Sequence, residues 1–271
     1  MQDTIAHDLS PDALAAAIEE NEIQYWLYRA HVAGWEVHEN AALTWYYSGL
    51  DDAERNGVLR TDLPAGDADI HITKMLAWFD SRSVPMSWWG GPSRRPADLG
   101  VRLVAHGLIS EGEDPGMAVD LHALNEDLPL PAGFAVERVR DGEAVRRWLR
   151  VLRIAHSRDP DVSQVPLALY GPAAFDDADP LRLYIASVNG APVATALVLL
   201  AAGVAGVYYV ATIPAARRQG IGAGVTLAAL RDARAAGYHI GVLGASQMGV
   251  GVYQRLGFRE YCKLTLYVRE P

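Results

Sequence analysis

VAGVYYVATIPAARRQGIGAG, residues Val204 to Gly224, reads as a β-strand, a proline stop, an arginine pair and a glycine-rich entry into a helix. Such a junction meets the physical requirements of a pyrophosphate site. The first turn of a helix carries unpaired N–H groups at the positive end of its dipole. Glycines at 220, 222 and 224 let the backbone approach phosphate oxygens with no Cβ in the way. Arg217 and Arg218 would add charge at the rim. A dinucleotide fold needs a Gly-x-Gly-x-x-Gly spacing and an acid near the end of the next strand. The spacing here differs, and the next apolar run, His239–Gly244, carries no acid.

Working outward, the second half alternates strand and helix signals. Phe134–Val139 alternates like a strand, and a helix follows with Asp141 as its N-cap and Ala144, Val145, Trp148, Leu149 and Leu152 on one face. After the Pro- and Asp-rich stretch Pro160–Pro180, with room for a second helix, come strands over Arg182–Val188, Val193–Leu200 and Val204–Ala211. Asn189-Gly190 marks a two-residue hairpin between the first two. A helix over Gly220–Ala236 ends at Gly237, followed by a strand at His239–Gly244 and a helix at Gln247–Leu256 ended by Gly257. A strand pair around Phe258 and Leu264–Val268 closes the chain, giving a mixed α/β sheet.

The first half shows helices at Pro11–Ala30, Ala68–Phe79 and Ala97–His106, and strands at Leu43–Tyr47, Pro85–Trp89 and Met117–Leu121. Asn125–Gly133, with two prolines and a glycine, reads as a linker. A shift of 150 positions lays Leu63-Pro64 on Ile213-Pro214, and Ala97–Gly107 on Gln247–Gly257. The order of elements and closing glycines coincides, which predicts a duplicated domain with units 1–130 and 131–271.

With 271 residues, half of them hydrophobic, the chain can bury two cores. No apolar run is long enough to span a membrane, and the N-terminus lacks a basic signal region. The single cysteine, Cys262, excludes an intrachain disulfide and fits a cytoplasmic location. The net charge of −9 divides into −14 over residues 1–130 and +5 over 131–271. An acidic half of that size argues against a nucleic-acid partner.

Arg217-Arg218-Gln219-Gly220-Ile221-Gly222 resembles the acyl-CoA signature Arg/Gln-x-x-Gly-x-Gly/Ala of the GNAT acetyltransferases. Val252–Phe258 resembles the family's Tyr-x-x-x-Gly-Phe block about thirty residues on, and the likeness covers roughly Phe134 to Val268. The resemblance implies an acetyl-CoA-dependent N-acetyltransferase acting on a primary amine of a small molecule or peptide, without a metal. It implies that Arg217, Arg218, Gln219, Gly220, Ile221, Gly222 and Ala223 hold the pyrophosphate. It also implies that the Val210 N–H, seven residues before Arg217, polarises the thioester carbonyl, that the backbone of Ala211 and Thr212 pairs with the pantetheine arm, and that Tyr253 protonates the departing thiolate. Ser246 stands where many relatives have Asn, and as a serine it is also a helix cap.

Where some relatives carry a strand Glu as base, this sequence has Gly206. His156, Asp159 and Asp161 fall in the region of the acceptor cleft, and the base stays unassigned between them and a water chain. The first half departs further. Asp67-Ala68-Asp69-Ile70-His71-Ile72 falls on the signature loop, and Leu103 on Tyr253, so this half resembles a degenerate GNAT-like domain without a CoA site. The expected fold is therefore two tandem GNAT-like mixed sheets, the second intact. The −14 half, if it faces the cleft, favours a cationic amine. Two other readings share the loop: a non-catalytic acyl-CoA-binding or regulatory module, and a tandem enzyme acting on an amino-sugar thiol precursor.

Overall fold

The computed structural model describes residues 4–163, 170, 176 and 178–270. The helix expected within Pro160–Pro180 lies mostly outside them. The strands are β1 (Glu36–Glu39), β2 (Leu43–Tyr47), β3 (Asn56–Thr61), β4 (Met86–Gly90), β5 (Ile109–Asp120), β6 (Phe134–Arg138), β7 (Leu181–Val188), β8 (Ala191–Ala201), β9 (Val204–Thr212), β10 (Ile240–Gly244) and β11 (Arg259–Arg269). The helices are α1 (Pro11–Ala33), α2 (Ala68–Asp80), α3 (Leu99–Ala105), α4 (Gly142–Ala155), α5 (Ile221–Ala235) and α6 (Val250–Leu256).

The strands form one continuous mixed sheet of 11, in the order β1-β2-β3-β4-β11-β5-β10-β9-β8-β7-β6. Where the sequence suggests two sheets, the final strands have crossed over. β5 lies between β10 and β11, and β11 lies between β5 and β4, all antiparallel. On either side of this centre the pairing repeats: β10 runs parallel to β9, and β4 runs parallel to β3. β5 and β11 begin 150 residues apart and β4 and β10 begin 154 apart, so the ungapped shift holds at β5 and slips by a few residues before it.

Local chemistry explains most boundaries. The Asp141 side chain accepts from the Ala144 N–H at 2.7 Å and starts α4, whose apolar face is buried as its spacing predicts. Asn189 and Gly190 both take positive φ, the backbone of a two-residue hairpin matched to strand twist. α6 starts at Val250, later than Gln247, because the Ser246 carbonyl accepts from the Gly249 and Val250 N–H groups. The cap is main chain, not the Ser246 hydroxyl.

Two strands escape the sequence pattern and two run longer. β1 is short, polar and exposed. β3 opens with Asn56-Gly57, which reads as a turn. Instead the Asn56 side chain accepts from the Ser48 N–H and donates to the Leu50 carbonyl, while Gly57 lets Ser87 of β4 approach. β5 extends back to Ile109 through exposed polar residues, because β11 supplies a ladder there. The strand pair expected around Phe258 and Leu264 is a single strand, β11, with register shifts at Glu260/Cys262 and Thr265/Tyr267.

α1 and α4 cover one face of the sheet, and α2, α3, α5 and α6 cover the other. α1 crosses the centre and packs on β5, β8, β9, β10 and β11. It is pinned by polar contacts as well as by Leu14 and Ile18. Asn21 donates to the Ala201 carbonyl at 2.8 Å and accepts from the Tyr208 hydroxyl at 2.7 Å, and Arg29 donates to Tyr209 at 2.8 Å. Buried polar groups tied in this way fix the position of the helix.

Candidate functional site

The site is built on a defect in the sheet. β9 pairs with β10 only at Ala205 and Gly206, so from Val207 onward the two strands separate. On its other edge β9 pairs with β8 at Tyr208↔Leu197 and at Ala211↔Thr195. Two residues of β9, Tyr209 and Val210, therefore oppose the single residue Ala196, which is a β-bulge. Tyr209 sits at φ +49°, rare for a non-glycine and a mark of local strain.

The polar groups released by the bulge are satisfied by side chains. The Thr195 hydroxyl donates to the Tyr209 carbonyl at 2.9 Å, and the Trp148 indole N–H donates to the Ala196 carbonyl at 3.1 Å. Both donors are fully buried, so the irregularity is held from α4 and β8.

The gap between β9 and β10 opens into a cleft of about 690 Å³. Val210, Ala211, Thr212, Arg217, Arg218, Gly220, Ile221, Gly222, Ala223, Ser246 and Tyr253 all line it. Of the residues that the resemblance assigns to the donor site, only Gln219 is not on its wall. Arg218 and Gly220 have φ of +63° and +77°, an irregular turn that leads into the first turn of α5. A Cβ on Gly220 would lie 2.7 Å from the Pro129 carbonyl oxygen, so the loop and the linker need glycine there. A Cβ on Gly222 would project to within 3.5 Å of Thr212 Oγ1 and 3.9 Å of Val210 Cγ1, across the mouth of the split. The lack of a side chain at Gly222 keeps this path open for an extended ligand, and the free N–H groups of the helix start suit an anion.

The two arginines differ. Arg217 donates to the Thr212 carbonyl at 3.1 Å and the Ala155 carbonyl at 2.7 Å, tying the end of β9 to the end of α4. Arg218 has no such tie among the described residues. It shares a groove of about 520 Å³ with Arg255 and the linker residues Asn125 to Pro129, continuous with the outer end of the cleft. The sequence alone does not single out Arg255. It lies three residues before Phe258 and shares the helix that carries Tyr253.

Tyr253 is 9 % exposed and packs edge-on against Phe258, and burial pushes its phenol up to about 12. It is therefore neutral at physiological pH. Inward of Tyr253 and Val210 the cleft continues into a second chamber of about 440 Å³. Its acids are Glu22 on α1, Glu54 on the 3-10 turn at Ala53–Arg55, and Glu111 and Asp114 on β5. All four come from the first half. Burial raises the carboxyl pKa values of Glu22, Glu54 and Asp114.

His156 lines both chambers, and burial followed by the charges of Arg158 and Arg217 lowers its pKa. Asp159 and Asp161 stand apart from the cleft, exposed and accepting backbone N–H groups of their own loop. No group of metal-ligating side chains occurs among the described residues, and no helix there is long and apolar enough to cross a membrane.

At the corresponding end of the first half, Asp69 pairs with Arg102 and accepts from His106 at 3.0 Å. His106, then Arg102, lowers the Asp69 pKa. The start of α2 is thus bridged to α3 where the start of α5 stands open to α6.

Residues 128–253 match the family model of the acetyltransferase (GNAT) domain. Over that stretch, just under half of the chain, the sequence is similar to the GNAT acetyltransferases. No curated protein matches the sequence. Among solved structures, a GCN5-related N-acetyltransferase from Kribbella flavida aligns over 98% of this chain and 97% of its own, at 20% identity and TM-score 0.71. One from Sphaerobacter thermophilus aligns over 84% and 76%, at 17% identity and TM-score 0.63. A tandem GNAT protein from the clavulanic acid biosynthesis pathway aligns over 84% and 78%, at 14% identity and TM-score 0.57. At these identities the likeness is one of fold.

Proposed function

We propose that the chain transfers the acetyl group of acetyl-CoA to a primary amine of a small molecule or peptide, by direct attack of the amine on the thioester. The observation that carries this reading is the bulged split between β9 and β10, with Val210 and Tyr253 on the same walls. The free edge of β9 at Ala211 and Thr212 would pair with the pantetheine arm as an added strand would. The start of α5, from Arg217 to Ala223, would take the pyrophosphate, with Arg218 and Arg255 beside the nucleotide. An N–H at Val210 aimed at the carbonyl oxygen stabilises the developing oxyanion by a few kcal/mol. Tyr253 supplies the proton the departing sulfur needs.

Four carboxylates on the inner chamber favour an acceptor that carries positive charge, such as a polyamine or a lysine or N-terminal amine. The repeated pairing about β5 and β11 supports two tandem units, 1–130 and 131–271, the first degenerate. In that unit the Asp69–Arg102–His106 cluster would take up the helix start that α5 leaves open to a phosphate. Thiol release from acetyl-CoA with a panel of amines tests the activity. Gly222→Asp tests the donor site, because its new side chain projects into the cleft without clashing with the fold. Calorimetry should register at least a tenfold loss of acetyl-CoA affinity, and unchanged affinity would refute the assignment.

A further inference from the structure

We propose that Glu22, on the first helix of the chain, is the general base that deprotonates the incoming ammonium. This rests on the acetyltransferase reading and supplies the group that β9 lacks. Gly206 cannot carry an acid here: even a Cβ would stand 1.7 Å from Asn21 Oδ1 and 2.6 Å from its Cγ. α1 occupies that volume, and the residue after Asn21 is Glu22. Asn21 is locked by its bonds to Ala201 and Tyr208, so the helix has fixed contacts with β9 at this point. The acid missing from the strand is thereby replaced from another element.

Glu22 lines the inner chamber together with Val210, Ser246 and Tyr253, the residues at the reacting end of the outer cleft. One carboxylate oxygen accepts from the Trp26 indole N–H at 3.1 Å, which orients the group. The other has no partner among the described residues. The titratable and charged groups around the chamber are Glu54 from the 3-10 turn, Glu111 and Asp114 from β5, His156 at the end of α4, Tyr208 and Tyr209 on β9, and Tyr253 on α6. Arg29 lies two helix turns further along α1, held by Tyr25 and Tyr209. Burial lifts Glu22 to about 7, Glu54 adding to the rise and the Trp26 N–H opposing it. A base with that value is half ionised near neutrality. His156 is the competing base, but Arg158 and Arg217 beside it repel an ammonium.

The step balances as follows. Glu22 takes one proton from the ammonium, and the freed lone pair forms the C–N bond. The C–S bond breaks with its pair on sulfur, which takes the proton of Tyr253. The second proton lost by nitrogen on collapse restores Tyr253, and Glu22 returns its own to solvent. One proton is released per amide formed.

The test follows thiol release from acetyl-CoA by the full chain, with spermidine as the amine probe and, in a second arm, water alone as acceptor. The wild type should show kcat/KM rising with pH through a midpoint near 7. Glu22→Gln should lower it roughly 100-fold at pH 7 and abolish that limb, with acetyl-CoA affinity unchanged by calorimetry. Glu22→Asp should keep the limb at reduced rate, which guards against a merely structural effect of the glutamine. A limb that survives in Glu22→Gln, or that disappears in His156→Gln instead, overturns the inference and leaves the acetyltransferase reading intact. A wild type that binds acetyl-CoA but releases no thiol in either arm overturns both.

Discussion

Tyr253 shows how burial suits a residue to a task. Its phenol, pushed up to about 12 within the wall of the cleft, stays protonated across the physiological range. It has no hydrogen-bond partner for its hydroxyl among the described residues. A group so placed is ready to donate and is not needed to hold the fold. Tyr253→Phe should therefore lower kcat by roughly 100-fold while acetyl-CoA affinity, read by calorimetry, stays within twofold. Equal turnover by the two proteins across the pH range would reduce Tyr253 to a packing residue against Phe258. The sequence marks Tyr253 through its spacing from Gly257, and it marks the loop residues through their glycines. It carries no comparable sign of Glu22, Glu54, Glu111 and Asp114, which gather only when α1 and β5 fold against the far end of the chain. A single acid in a helix or an exposed strand has no periodicity that distinguishes it from a solvated one.

At the scale of elements, the pairing of α1 with β9 joins the two halves at one residue. Gly206 exists because Asn21 is there. Gly206→Ala should cost roughly 1–3 kcal/mol, since Asn21 is buried and triply bonded and cannot swing aside cheaply. Thermal denaturation checks this. Asn21→Gly in the Gly206→Ala background should recover part of the loss, and additive effects would show that the two do not touch. The same element explains what the sequence left unread. Helices with one apolar stripe, such as α4, and hairpins with an Asn-Gly turn are encoded locally. The polar half of β5 and the strand at Asn56 are not. They become strands because β11 and β4 lie beside them, a tertiary cause that no local pattern carries. The bulge at Tyr209 is equally silent in sequence, since it rests on Thr195 and Trp148 reaching in from two other elements.

On the scale of the whole molecule, the two ends of the sheet differ in chemistry while sharing an order of elements. The start of α5 is open, flanked by Arg218 and Arg255, whereas the start of α2 is bridged by Asp69 to Arg102 and His106. An anionic donor meets cations at one end and carboxylates at the other. Titration calorimetry should give one acetyl-CoA per chain, and saturation at two would mean that the first half keeps a working site. All four acids of the inner chamber come from the −14 half.

The exchange of β5 and β11 bears on the biosynthesis of the chain. As the polypeptide leaves the ribosome, β5 is made long before β10 and β11, its neighbours on both sides, and must wait with unpaired edges until the last residues emerge. Because β5 is an interior strand between β10 and β11, removing the first half would leave both of those strands with an open edge behind the cleft.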